Sequence, residues 1–350
     1  MKIAVIPGDG IGPEIMAEAI KVLDAIAIKF GHNFEYHHAL IGGAAYDKFQ
    51  NHFPDETKQI AENCDAILFG SVGGPVDQMH EPKWKDCERN SILAIRKHFD
   101  FNANLRPVKV YPQLAFRCVL RPDIVEQGID IMTVRELSSG IYFGEHRTEG
   151  NKAWDIMEYD VPTIEAIAHA AFKTAQARRK KVTSVDKANV LDCSRLWRKT
   201  VDEVAKQYPD IELEHILVDN CAMQIVQRPS SFDVMLMPNM FGDILSDLTS
   251  VLSGSIGMLP SASLNKQGFG MYEPSGGSAP DIAGKGIANP IAQILSAALM
   301  LKISFGLNDE HDAIKNAIQK TLDQNILTGD LTQTNPVGTQ QMGDAIINNL

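Results

Sequence analysis

Short apolar runs of strand length alternate along this chain with longer stretches whose apolar residues recur every three to four positions. That alternation constrains the fold more than any other feature. Residues 3–6 read as a buried strand, closed by Pro7-Gly8-Asp9-Gly10-Ile11-Gly12. A helix follows, with Pro13 in its first turn and Gly31 just past its end, the positions each residue type favours. Ile15, Ala19, Val22, Ile26 and Phe30 recur at helical spacing and supply its buried stripe. Further strands are expected at 66–69, 106–110, 129–134, 182–185 and 215–218, and helices at 91–99, 162–179 and 194–207. Strand alternating with helix predicts an α/β protein with a mostly parallel, helix-covered sheet. The first glycines do not complete a dinucleotide fingerprint, because Pro13 stands where G-x-G-x-x-G needs its third glycine. They are expected instead to make a tight turn at the edge of a site. The polar, weakly periodic stretch 144–154 reads as an exposed loop or arm.

The chain has 350 residues, enough for two domains or one large α/β domain. A net charge of -11 argues against nucleic acid or an anionic membrane as partner, since either wants a basic face. The one dense basic run, Arg178-Arg179-Lys180-Lys181, is expected to end a helix and stay solvated. Five cysteines without a C-x-x-C fit free thiols in a reducing compartment. The chain enters strand-like sequence at once, and no apolar stretch approaches ~20 residues. The expectation is a soluble cytoplasmic protein.

Chemistry concentrates first in Met237-Pro238-Asn239-Met240-Phe241-Gly242-Asp243-Ile244-Leu245-Ser246-Asp247. Residues 232–237 read as a strand, Pro238, Asn239 and Gly242 as a turn, and Asp243 onward as a helix. Asp243 and Asp247 then share one face a turn apart. Acids near a helix start also suit its positive end, and oxygen-only ligands suit Mg²⁺ or Mn²⁺ better than zinc. Asp219 reads as the end of a strand and a candidate third carboxylate. Arg96, Arg106 and Arg135 stand at element ends, and together such guanidinium groups hold a substrate with two carboxylates. Tyr142 and Lys187 are candidates for proton transfer, the lysine through a pKa lowered by burial near other cations. The stretch from Glu273 to Gly286 is too glycine-rich for a simple turn. It is not a kinase-type phosphate loop, because Ala279 and Gly286 stand where that motif needs Gly and Ser or Thr. An Asp in such a loop suits the hydroxyls of a nucleotide ribose.

Jointly these motifs resemble one family, the metal-dependent β-decarboxylating dehydrogenases of 2-hydroxy acids, which act on isopropylmalate, isocitrate, homoisocitrate, tartrate and D-malate. The resemblance runs nearly end to end, from Gly8-Asp9-Gly10-Ile11-Gly12 to Asn289-Pro290, and Asn239-Met240-Phe241-Gly242-Asp243-Ile244-Leu245-Ser246-Asp247 is close to the family signature. It implies the two-domain isopropylmalate dehydrogenase-like fold, α/β with a mixed, mostly parallel sheet and not a Rossmann fold. Residues 1–101 and 253–350 would form the cofactor-side domain, 102–252 the central domain, and the active site the cleft. The resemblance implies Asp243 and Asp247 as ligands to Mg²⁺ or Mn²⁺, with Asp219 reaching in from the partner of a homodimer. Arg96, Arg106 and Arg135 would hold the substrate carboxylates, and Lys187, also from the partner, would assist removal of the hydroxyl proton. Tyr142 would protonate the enol. Gly276, Gly277, Ser278, Ala279, Pro280, Asp281, Ile282 and Asn289 would bind NAD. In one departure, many members have a histidine beside the loop glycine where this chain reads Ser275-Gly276-Gly277.

Substrate choice is expected to rest on Glu88, Ile92 and Leu93. Glu88, Ile92 and Arg96 stand at four-residue steps, so on a helix they share a face. Isocitrate enzymes place an asparagine where Ile92 stands. A carboxylate arm is costly to bury against Ile92 and Leu93, whereas an isopropyl arm gains roughly 1.5–3 kcal/mol. D-malate and tartrate enzymes are the nearest alternative. A ligand-sensing subunit without activity would have lost a metal Asp, the Tyr or the Lys, and all are present.

Overall fold

The computed structural model describes residues 1–350. Its strands are β1 (Lys2–Gly8), β2 (Glu35–His38), β3 (Ala66–Ser71), β4 (Ala103–Lys109), β5 (Asp130–Glu136) and β6 (His146–Glu149). They continue as β7 (Lys152–Asp155), β8 (Lys181–Asp186), β9 (Glu212–Leu217), β10 (Val234–Met237), β11 (Pro260–Leu264) and β12 (Gly270–Pro274). The chain divides into two compact units. Residues 1–100, 111–117 and 254–350 form the first, and 101–110 with 118–253 form the second.

In the first unit the strands run β2-β1-β3-β12-β11, parallel except for the antiparallel β11–β12 pair. All of Ile3 to Ile6 is fully buried, as parallel strands covered on both faces require. The helix Gly12–Phe30 ends at Gly31, whose φ of 77° is the left-handed cap that glycine supplies. Ile15, Ala19, Val22 and Ile26 are buried with Met16 and Leu23. Most apolar of all is the helix Ile291–Ile303, buried all round through Leu301 as the centre of this core.

The second unit orders its strands β4-β5-β10-β8-β9, again parallel except at one pair, β4–β5. Helices Val161–Gln176, Asp192–Ala205, Val218–Gln227 and Asn239–Ser250 accompany it. Residues 146–155 form an antiparallel hairpin, β6–β7, with every strand position exposed. Asp219 does not end a strand; it lies in the first turn of Val218–Gln227.

The basic run departs from expectation. The helix before it ends at Gln176, and Arg178 is not solvated. Its guanidinium bonds Asp130 at 2.7 Å and Asp233 at 2.8 Å, and Asp233 is buried. A buried carboxylate needs a paired cation, and the arginine answers that need.

Candidate active site

The helix Asn239–Ser250 starts at once after Pro238, so Gly242 lies in its first turn rather than in a loop. The glycine is needed for a different reason. A Cβ there would meet Arg135 Cγ at 2.6 Å and Cβ at 2.8 Å, so its absence lets the helix lie directly on the arginine. Asp243 follows beyond the first turn, which holds no acid, and the helix-dipole reading of these carboxylates falls away.

Arg135 is buried at the C-terminal end of β5. Its Nε and Nη2 donate to Asn239 Oδ1 at 3.0 and 2.8 Å, and its Nη1 pairs with Asp243. The Tyr142 hydroxyl donates to the other Asp243 oxygen at 2.9 Å, and the Tyr142 ring centroid lies 5.9 Å from the Arg135 Cζ. Partial burial, and then the bond to Asp243, raises the Tyr142 pKa above its ordinary value. Arg106 donates to Asn104 at 2.7 Å and Ser246 at 3.1 Å, and lies 3.6 Å from Asp247. Ser246 Oγ donates on to the Asp243 backbone carbonyl at 3.0 Å, so two arginines, two carboxylates and one phenol form a single linked group.

Lys187 and Asp219 stand apart from it. They pair with each other, and the lysine holds Asp219 below the usual carboxylate range. The lysine's neighbour is thus an anion and not the cations expected. No group of three or more His, Cys, Asp or Glu side chains within the chain is placed to hold a metal ion. Asp243 and Asp247 carry oxygen donors of the kind a hard divalent cation takes, while Asp219, the third carboxylate expected, is paired with Lys187 instead.

In the first unit, Arg96 Nη2 donates to Glu273 at 2.9 Å while its buried Nε has no partner. The helix that carries it is α-helical over Ala94–His98 but π-wound over Arg89–Leu93. Ile92 is half-buried, and Glu88 and Leu93 are exposed. A π-turn is rare and concentrates at functional positions.

The glycine-rich stretch lines a cavity of about 420 Å³ with Gly276, Gly277, Ala279, Ile282, Ile287, Ala288 and Asn289. Ser278, Pro280 and Asp281 belong to the same loop without lining it. Ala279 has φ of 39°, a strained value for a side-chain-bearing residue. Sequence reasoning missed Ile11, Ile15, Ser255, Ile256, Gly257 and Asp330, which line it together with Pro274, Ala292 and Gly329. Only Ile11 carried a signal, as part of the first glycine turn. That turn does edge the cavity loop: Ile11 N–H donates to Ser278 O at 2.8 Å, and a Cβ on Gly10 would sit 1.9 Å from that oxygen. Asp9 was also missed. Its buried carboxylate accepts from the amides of Gly43, Ala44 and Gly73 at 2.8–3.1 Å. Beside Gly73 lie Glu88 and Ser278, since a Cβ there would stand 3.3 and 3.4 Å from their side-chain oxygens.

Arg135, Lys187, Asp219 and Asp243 all sit at or just after the C-terminal ends of the parallel strands β5, β8, β9 and β10. That is where open α/β sheets bind ligands, and acids, cations and a phenol gathered there make this an enzyme of small molecules by class. The chain belongs to the isocitrate/isopropylmalate dehydrogenase family, whose model matches residues 2–346. A 3-isopropylmalate dehydrogenase of Mannheimia succiniciproducens is 54% identical over 99% of this chain and 98% of its own length. The Geobacter metallireducens protein of that name is also 54% identical, over 99% and 98%. Among solved structures, isocitrate dehydrogenase from Methylococcus capsulatus superposes with a TM-score of 0.86 at 35% identity, covering 99% of this chain and 98% of that one.

Proposed function

We propose that this chain catalyses the NAD-dependent oxidative decarboxylation of (2R,3S)-3-isopropylmalate to 4-methyl-2-oxopentanoate and CO₂, a step of leucine biosynthesis. The observation that carries the reading is the joint hold of Arg135 and Tyr142 on Asp243. One carboxylate thereby ties a cation for the substrate acid and a proton donor to a metal ligand.

When bound, NAD⁺ accepts the C2 hydride and a divalent cation acts as Lewis acid at the ketone oxygen. Asp243 and Asp247 hold that cation, with Asp219 of the partner subunit. Arg96, Arg106 and Arg135 bind the malate carboxylates, and the unpartnered Arg96 Nε supports this role. Lys187 of the partner subunit takes part in removing the hydroxyl proton. Tyr142, a phenol that is protonated at neutral pH, donates to the enol carbon. The apolar cavity receives the adenosine, and Asp281, exposed beside it, accepts from the ribose hydroxyls and repels a 2′-phosphate.

Two observations support a homodimer with shared sites. Lys187 and Asp219 pair only with each other, away from Asp243. Met223 and Val226 on one helix, and Ile244 on the helix of Asp243, are exposed apolar residues that a second copy would cover.

NADH formation with isopropylmalate, D-malate, tartrate and isocitrate, with NAD or NADP and with or without EDTA, tests the whole. Isopropylmalate with NAD is expected to give the highest kcat/KM, abolished by EDTA. A higher kcat/KM for D-malate or isocitrate, a preference for NADP, or indifference to EDTA overturns the corresponding part.

A further inference from the structure

Three segments of the second unit carry Arg135, Tyr142 and Asp243: the end of β5, the turn that leads to Tyr142, and the start of the helix Asn239–Ser250. One buried phenol joins them. Tyr159 accepts from the Asn239 backbone N–H at 2.8 Å, and its hydroxyl lies beside the Glu136 carboxylate. Glu136 in turn accepts from Ser138 N–H at 2.5 Å, Ser138 Oγ at 2.6 Å and Ser139 N–H at 3.0 Å, in the turn leading to Tyr142. The Asn239 side chain closes the ring, donating to Ser139 O at 2.9 Å and accepting twice from Arg135.

Adjacent strand residues point to opposite faces, so Arg135 and Glu136 draw the substrate side and the supporting side of β5 into one network. Tyr159 is itself anchored. Asp160 caps the helix Val161–Gln176, accepting from Thr163 N–H at 2.9 Å, and the Tyr159 ring packs edge-on to Trp197 at 5.6 Å. The ring is what the core needs, whereas the hydroxyl touches only segments that lead to reactive groups. Gly140 is shaped to it: φ is 81°, and a Cβ there would stand 2.5 Å from the Tyr159 oxygen.

We infer that Tyr159 is a positioning residue, whose hydroxyl, set between Glu136 and the Asn239 amide, fixes Arg135, Tyr142 and Asp243 relative to one another. Removing the hydroxyl leaves the buried Asn239 amide short of a partner, and the segments it joins relax. The effect reaches the substrate because small misplacements cost as much as about a hundredfold in rate.

The inference rests on the proposed activity, so the wild-type enzyme is read first, by calorimetric titration with isopropylmalate and Mn²⁺ in the absence of NAD. No binding by the wild type removes that activity. Equal binding by wild type and Tyr159→Phe removes only the positioning role. Expected for Tyr159→Phe are isopropylmalate binding weaker by about tenfold and kcat lower by about tenfold to a hundredfold. NADH binding, followed by fluorescence, is expected to stay unchanged. Trp197→Phe, which disturbs packing on the same ring, is expected to lower Tm and leave binding and kcat alone. A Tyr159→Phe enzyme that loses only Tm overturns the inference. If that variant does not fold, Glu136→Gln carries the test, since it keeps the size of the side chain beside the phenol but loses one acceptor for the Ser138 and Ser139 amides. Unchanged binding and kcat in that variant overturn the inference equally.

Discussion

The arginine–carboxylate cluster of the second unit and the glycine-rich cavity of the first are built on opposite plans. In the cluster, side chains do the fixing: Arg135 spends its guanidinium on Asn239 and Asp243, and Asp243 is shared with Tyr142. In the cavity the backbone does it, through Gly10, Ala279 and the amide of Ile11 on Ser278. The contrast shows in two glycines. A Cβ on Gly242 would enter Arg135 at 2.6 Å, while a Cβ on Gly276 would meet only Ile256, at 3.9 Å. One region is specified by residue type and packed tight. The other is specified by chain path and has room.

The sharpest way to break that contrast is Asp243→Asn. The substitution removes a proposed metal ligand and the charge that holds Arg135 and Tyr142. Several kcal/mol of charge stabilisation go with it, and kcat is expected to fall by roughly 10⁴-fold. NADH binding at the cavity should be untouched, by fluorescence titration. Turnover that stays normal and insensitive to EDTA would remove the metal from this cluster.

Next in size is Tyr142→Phe. Losing a general acid costs about 10²–10⁴-fold, and the loss should fall on decarboxylation and enol protonation more than on hydride transfer. Rapid-quench analysis of NADH and CO₂ separates the steps. Equal slowing of both would take the phenol out of the late step.

Legibility followed the same divide. Arg106, Arg135, Tyr142 and Asp243 stand out by residue type only when taken together, since each alone suits an ordinary ion pair or structural role. The start of the helix that carries Asp243 was misjudged, since Pro238-Asn239 and Gly242 have the composition of a turn. There the proline is the N-cap and the glycine admits Arg135. Ser255, Ile256 and Asp330 on the cavity wall gave no local signal, being far in sequence from the loop they face. Tyr159 was silent too, because nothing in a lone tyrosine before a helix says which amide its hydroxyl will meet. The π-wound turn at Arg89–Leu93 is not legible in the sequence, because the four-residue steps of Glu88, Ile92 and Arg96 suit an ordinary helix face.

That turn sets a third, smaller prediction. Ile92→Ala should reduce discrimination between isopropylmalate and D-malate by about tenfold to a hundredfold, as loss of an apolar pocket contact does. The measurement is the ratio of kcat/KM values. An unchanged ratio would place Ile92 in the packing of its own helix and leave substrate choice to other groups.

The smallest effect sharpens the comparison from the cavity side. Gly276 lines the cavity with only an ordinary contact in reach of a Cβ, and its φ lies outside the left-handed region that demands glycine. Gly276→His therefore has space for its ring and no backbone strain to overcome. The substitution also narrows the unfolded ensemble, which favours the folded loop by about 0.4–1 kcal/mol. An imidazole facing Ile256 would add a flat surface for a nucleotide base, and stacked aromatic pairs contribute about 0.5–1.5 kcal/mol. NADH binding is thus expected to tighten severalfold, measured by fluorescence, with isopropylmalate binding unchanged by calorimetry. Weaker NADH binding would mean that the open wall at Gly276 is itself part of the site, and that the room in this region is as specified as the crowding around Arg135.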